Sequence, residues 1–243
     1  MKYETINDCG ELGIEFENIR GHGARVTRDF LRKLLKHIVE RAAQYYDETG
    51  EHVFTYRERQ LHSVVCPSIA DITSSYLIEH PLSRKPTGDA EYRGNVDYWI
   101  YYRDYSFLIE LKHTYFAYRR GDNPRKSIAR KFLRALVQLA NIRKKECRNL
   151  TFGKALIKIA LEAVVFYRAS EEEDRLKIDV EKRDFKALLG KMVENTELKY
   201  KSNLRALWVL DERLVEPVEY EKTFEIYPAV AFIGNVSEII ERG

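Results

Sequence analysis

Cysteine is scarce. The 243 residues hold three, Cys9, Cys66 and Cys147, widely separated and without a Cys-x-x-Cys pair. That argues against a disulfide framework and against a thiolate zinc site. Twelve glycines and six prolines are too few for a fibrous or low-complexity chain. No apolar run approaches the roughly 18 residues of a membrane-spanning helix, so no membrane partner is expected. Met1-Lys2-Tyr3-Glu4 lacks the basic-then-apolar pattern of a secretion signal, and a cytoplasmic location is the expectation. No Walker loop, dinucleotide fingerprint or nucleophile elbow is present. Gly21-His22-Gly23 is too short to cradle a phosphate, and His62 and His80 lack metal-ligand spacing.

What is there is charge, unevenly placed. Lys and Arg number 41 against 38 acids, a net of +3. Between positions 119 and 148, eleven basic residues face only Asp122 and Glu146, so the remaining residues are net acidic. Such asymmetry points to an anionic partner on one face. The apolar fraction, 44%, suits a folded chain.

Hydrophobic period locates the elements. Residues 25–47 read as an amphipathic helix that Gly50 ends, and a second helical stretch begins near Tyr56, with Pro67 kinking it or starting a new helix. The period then shortens to two. Residues 76–79, 95–102, 106–115, 160–168, 206–210 and 224–233 are strand candidates. Residues 127–145 and 180–197 are helical. The expected class is α/β (α+β): a mixed central β-sheet flanked by helices, in a single domain over 1–243. Residues 1–50 would form an N-terminal helical extension, 52–168 a core and 169–243 a C-terminal elaboration.

The informative segment is Gly94-Asn95-Val96-Asp97 followed by Phe107-Leu108-Ile109-Glu110-Leu111-Lys112. In a strand Glu110 and Lys112 share one face. If the strands form a hairpin turning at Arg103-Asp104, Asp97 stands directly opposite Glu110. Arg-Asp is not a favoured two-residue turn; a four-residue turn over 102–105 keeps the same register. Two facing carboxylates repel unless a cation lies between them, and two carboxylates plus water suit Mg²⁺. Lys112 beside them would orient or deprotonate a water, or hold charge on a phosphoryl group. His113 faces the other way and reads as structural or substrate-side.

Asp97, twelve residues and then Glu110-Leu111-Lys112 resembles the active site of the PD-(D/E)XK nuclease superfamily. The resemblance covers roughly 52–168, mostly by order of elements. It implies a restriction-endonuclease-like core and hydrolysis of phosphodiester bonds, of DNA rather than RNA, leaving 3′-hydroxyl and 5′-phosphate ends. It implies Mg²⁺, with Mn²⁺ able to substitute, held by Asp97, Glu110 and the Leu111 carbonyl, with Lys112 acting on the water. A restriction, phage-defence or repair role and a homodimer would fit.

The family often adds a Glu from a preceding helix, here Glu58 with Glu40 as competitor, and a Gln from the following helix, here Gln138. On that helix Ile128, Phe132, Ala135, Leu139 and Ile142 form an apolar stripe, with Gln138 at its edge near Lys131 and Arg134. Arg119, Arg120, Arg125, Lys126, Lys131 and Arg134 are the candidate nucleic-acid contacts. Tyrosines interleaved with them, Tyr92 among several, suit base stacking. Val96 precedes Asp97 where many members have Pro. Ile142 replaces the Tyr of the Gln-x-x-x-Tyr branch, which argues against that branch's exonuclease type. The alternative is a non-catalytic nucleic-acid-binding or scaffold protein that keeps the fold.

Overall fold

The chain opens with a hairpin, not with the helical extension expected for residues 1–50. β1 (Lys2–Ile6) pairs with β2 (Gly10–Phe16), and β2 pairs in turn with a strand near residue 207. The segment is acidic and glycine-interrupted, so it carries almost no periodic signal, and its second partner lies almost 200 positions away. The structure, a computed structural model, describes residues 1–85, 91–118, 126–173, 176–177, 180, 184–194, 198–220 and 222–241.

α1 (Ala24–Thr49) follows, and Gly50 ends it in a left-handed conformation, φ 72°. Two 3-10 turns, Val53–Thr55 and Glu58–Leu61, lead into α2 (His62–Ala70). Pro67 lies inside α2 and does not end it: Asp71 N–H still donates to the Pro67 carbonyl. β3 (Tyr76–Arg84) is an edge strand that runs five residues past its expected end. Pro81 is tolerated there because an edge strand leaves one row of N–H groups unpaired.

β4 (Tyr92–Tyr102) and β5 (Tyr105–Ala117) form the expected hairpin in the expected register, from Tyr102 opposite Tyr105 to Tyr98 opposite Ile109. The turn is the two-residue kind, with positive φ at both Arg103 (45°) and Asp104 (64°). Its unfavourable residues are held from outside. Arg103 pairs with Asp29 at 3.0 Å, and the Asp104 carbonyl accepts from Lys154 N–H at 2.7 Å.

The helical stretch 127–145 divides into α3 (Lys126–Ala140) and α4 (Lys144–Leu150). Next come β6 (Ala155–Ser170), α5 (Phe185–Glu194), α6 (Leu198–Lys201), β7 (Leu204–Leu210), β8 (Val218–Tyr220) and β9 (Thr223–Glu241). The ends of the helix expected over 180–197 fall partly outside the described residues.

Among the described residues the strands make one nine-stranded sheet, ordered β1-β2-β7-β9-β6-β5-β4-β3, with β8 paired to β9. β5 and β6 run parallel; the other described neighbours are antiparallel. The fold is therefore mixed α+β, with a mostly antiparallel sheet between two helical layers. Phe30, Leu34 and Ile38 of α1 and Val64 and Ile69 of α2 pack on one face against Phe107, Ile109 and Leu111. α3, α4 and α5 cover the other, with the whole predicted stripe Ile128, Phe132, Ala135, Leu139 and Ile142 buried against Leu108, Leu156 and Val164. α1 thus shares a core with the sheet and is no separate extension.

Candidate active site

The β4–β5 ladder stops one pair short of Asp97. Beyond that point the Asp97 carboxylate replaces the strand: its Oδ2 accepts from the Leu111 N–H at 2.6 Å. A buried donor must find a partner, and here a side chain supplies it. The parting of the strands opens a cleft of about 480 Å³ lined by Glu58, Asn95, Asp97, Glu110, Leu111, Lys112, Lys131, Arg134 and Gln138, among others.

Four oxygens converge on one point in this cleft, and the Lys112 ammonium occupies it. Lys112 Nζ lies 2.7 Å from the Leu111 carbonyl, 3.3 Å from Glu58 Oε1, 3.4 Å from Glu110 Oε1 and 3.6 Å from Asp97 Oδ2. Burial raises the Asp97 carboxyl above its ordinary range, against the pull of Lys112 and the Leu111 N–H. Burial also raises Glu110, and the Asp97 charge adds to it, while Lys112 and Arg84 oppose. For Lys112, burial favours the neutral amine, but Asp97, Glu110 and Glu58 outweigh it and the net shift is upward. The site is electrostatically strained: two desolvated like charges share Lys112, and only Glu110 has a second cation, Arg84.

Hard oxygens converging on one point are the donor chemistry that Mg²⁺ and Mn²⁺ take. Asp97, Glu110 and the Leu111 carbonyl fit that requirement, with Glu58 beside them. No three His, Cys, Asp or Glu side chains among the described residues lie close enough to hold a metal by carboxylates or imidazoles alone. The set therefore depends on the backbone carbonyl and on water, and on Lys112 Nζ moving aside.

Of the residues singled out from sequence, Asp97, Glu110, Leu111, Lys112, Glu58, Gln138, Lys131 and Arg134 line this one cleft. Glu58 sits on a 3-10 turn, not an α-helix. Glu40, its competitor, is instead paired with His37 at 3.0 Å. Gln138 Oε1 is buried and lacks a hydrogen-bond partner among the described residues. Lys131 Nζ donates to the His113 carbonyl at 2.7 Å. His113 itself faces away, as expected, and its ring is 3% exposed, with burial pushing its pKa down to about 4. Lys126 opens α3; Arg119, Arg120 and Arg125 lie outside the described residues.

Two further residues were not anticipated. Arg84, from the end of β3, donates to Glu110 Oε2 at 3.0 Å and to the Asn95 carbonyl at 2.6 Å, with both the Arg84 and Glu110 side chains 2% exposed. Pro81 conceals its strand in the sequence. Glu162 stands level with Lys112 on the adjoining β6 and accepts from Thr114 Oγ1 at 2.7 Å, while its Oε2 has no partner among the described residues. Its signal was legible: a lone carboxylate inside the apolar run Ile159-Ala160-Leu161-Glu162-Ala163-Val164.

Burial pushes the Glu162 pKa up to about 8 from 4.5, only partly offset by the Thr114 hydrogen bond and Lys131. Folding then takes up a proton between those values. The protonated contribution to stability is full below about pH 4.5 and is lost as pH rises toward 8. Glu162→Gln should remove this dependence. Denaturant melts should match the native chain near pH 5, and the variant should be the more stable at pH 8. The gap should widen by up to about 1.4 kcal/mol per pH unit in between. A gap that is the same at all pH values would mean that the carboxyl is ionised in the fold.

Compared with protein-family models, with curated proteins and with solved structures, the chain matches none.

Proposed function

We propose that the chain is a metal-dependent nuclease of the PD-(D/E)XK type, acting on DNA. The observation that carries this reading is the convergence of Asp97, Glu110, Glu58 and the Leu111 carbonyl on Lys112 Nζ, in a cleft bordered by Lys131 and Arg134. In this reading Asp97, Glu110 and the Leu111 carbonyl hold Mg²⁺ or Mn²⁺. The ion supplies charge stabilisation at phosphorus and a more acidic water. Arg84 aims Glu110 and opposes the upward shift that burial imposes on it. Lys112 donates to the attacking water or to a non-bridging phosphate oxygen. Lys131 and Arg134 hold the neighbouring backbone. Attack on phosphorus then leaves a 3′-hydroxyl and a 5′-phosphate.

A second reading rests on the same geometry. Lys112 and Arg84 already pair with the carboxylates, as a nucleic-acid-binding protein with a silent site would require. One assay separates the two. Supercoiled plasmid, linear duplex and single-stranded DNA are incubated with the protein and Mg²⁺ or Mn²⁺, with EDTA controls. Metal-dependent cleavage supports the nuclease. DNA binding without cleavage, and no melting shift with either metal, supports the silent site.

A further inference from the structure

Beside the metal-ligand cleft runs a second hollow of about 490 Å³, between α3 and the β3–β4 ribbon. The two share Asn95, Arg134 and Gln138 in their walls, so they adjoin. The second part has a different character. Its walls combine Arg130 and Arg134 with Tyr92, Leu133 and Val137. Tyr92 is 44% exposed and Val137 56%, large apolar surface left facing water. Arg84 lines its floor beside Gly94, where an added Cβ would stand 3.3 Å from Arg84 Nε and 3.7 Å from the Tyr92 ring. Glycine there lets ring and guanidinium approach the same backbone. Among the described residues, Arg84 Nε and Gln138 Oε1 are both buried without partners, an uncommon cost that an occupant or water would relieve.

We infer that this groove seats an unpaired nucleotide next to the scissile phosphate, so that the substrate is single-stranded nucleic acid or the frayed end of a duplex. The inference rests on the nuclease reading above and narrows it. A duplex offers phosphates and base edges but hides its base faces in the stack. Arginines alone would serve a duplex. An exposed aromatic ring and aliphatic surface between arginines serve a base face and its phosphate together. Asn95 and Gln138 line both this hollow and the cleft that holds Asp97 and Glu110, so a nucleotide seated here lies next to that cleft.

The test is binding of labelled short oligonucleotides to the full chain in EDTA, followed by fluorescence anisotropy: single-stranded DNA, single-stranded RNA and a blunt duplex hairpin. Single strands should bind more tightly than the hairpin. Tyr92→Ala should weaken single-strand binding roughly five- to a hundredfold, Tyr92→Phe should restore it, and hairpin binding should not change. Arg130→Ala should lower the slope of log affinity against log salt by about 0.7 for the single strand. DNA and RNA share the chemistry, and the tighter of the two names the substrate. Equal binding of hairpin and single strand, or a Tyr92→Ala loss that is absent or equal for both, overturns the inference. If duplex cleavage in Mg²⁺ then still requires Asp97, only the single-strand assignment falls; if no nucleic acid binds or is cut, the nuclease reading falls with it. Tyr92 is half-exposed, and unchanged melting of its variants verifies that they fold.

Discussion

Lys112→Ala should lower metal-dependent cleavage about 10²–10⁴-fold, the range for loss of a positioned proton-transfer or charge-stabilising group, and at the same time tighten Mn²⁺ binding. The second half follows from geometry. The Lys112 ammonium stands where four oxygens converge and competes with any metal for them. Removing it leaves Asp97 without its cation and Glu110 with Arg84 alone, and a divalent ion between the two carboxylates relieves their repulsion. Titration calorimetry with Mn²⁺, alongside cleavage rates, reads both quantities. Asp97→Asn should lose both, since it deletes a ligand and weakens the acceptor that ties β4 to the Leu111 N–H. A Lys112→Ala protein that binds Mn²⁺ more weakly than the native chain would show that the lysine shapes the donors instead of competing for them. One that still cuts at the native rate would remove Lys112 from the chemistry.

Arg84→Met should destabilise the fold by roughly 3 kcal/mol, the lower end of the cost of breaking a buried ion pair. The lower end applies because Lys112 still faces Glu110. For a domain of this size that corresponds to a melting decrease of roughly 6–12 °C. Most of the loss should come from a carboxylate left buried and underpaired. Glu110→Gln added to Arg84→Met should therefore recover a substantial part, and a double-mutant cycle by thermal melting measures it. Purely additive losses would mean that Arg84 acts through packing and the Asn95 carbonyl alone.

The part of the site on β4 and β5 was readable because its strands carry their own signal. Aromatic and β-branched residues alternate on both sides of a short turn, and register then follows from counting. The register from Tyr102–Tyr105 to Tyr98–Ile109, which the ladder leaves just before Asp97, needed no knowledge of the rest of the molecule. The α3 stripe was readable for the same reason, with a period near 3.6 in place of two. What could not be read depended on distant partners or on a broken rule. β2 is a strand because β7 is beside it, not because Gly10–Phe16 prefers to be one. Arg84 was hidden by Pro81, which argues against a strand everywhere except at an edge. β9 runs eight residues past Ile233 through Gly234, because that glycine lets the Leu204 side chain lie where a Cβ would stand 2.7 Å from it.

β6 sits between β5, which immediately precedes it in the sheet-building half of the chain, and β9, which arrives more than fifty residues later. A ribosome makes those halves in order. Until residues 223–241 emerge, the nascent chain carries β6 with one row of backbone groups unpaired, on a strand whose residues 155–166 are all buried in the finished protein. Such an edge pairs with whatever strand it meets. A chain that stalls, or is clipped, near residue 170 would hold every residue of the Lys112 cleft and yet be an aggregation seed. Synthesis of β9 is thus the step that pairs the exposed edge of β6 and closes the half-sheet.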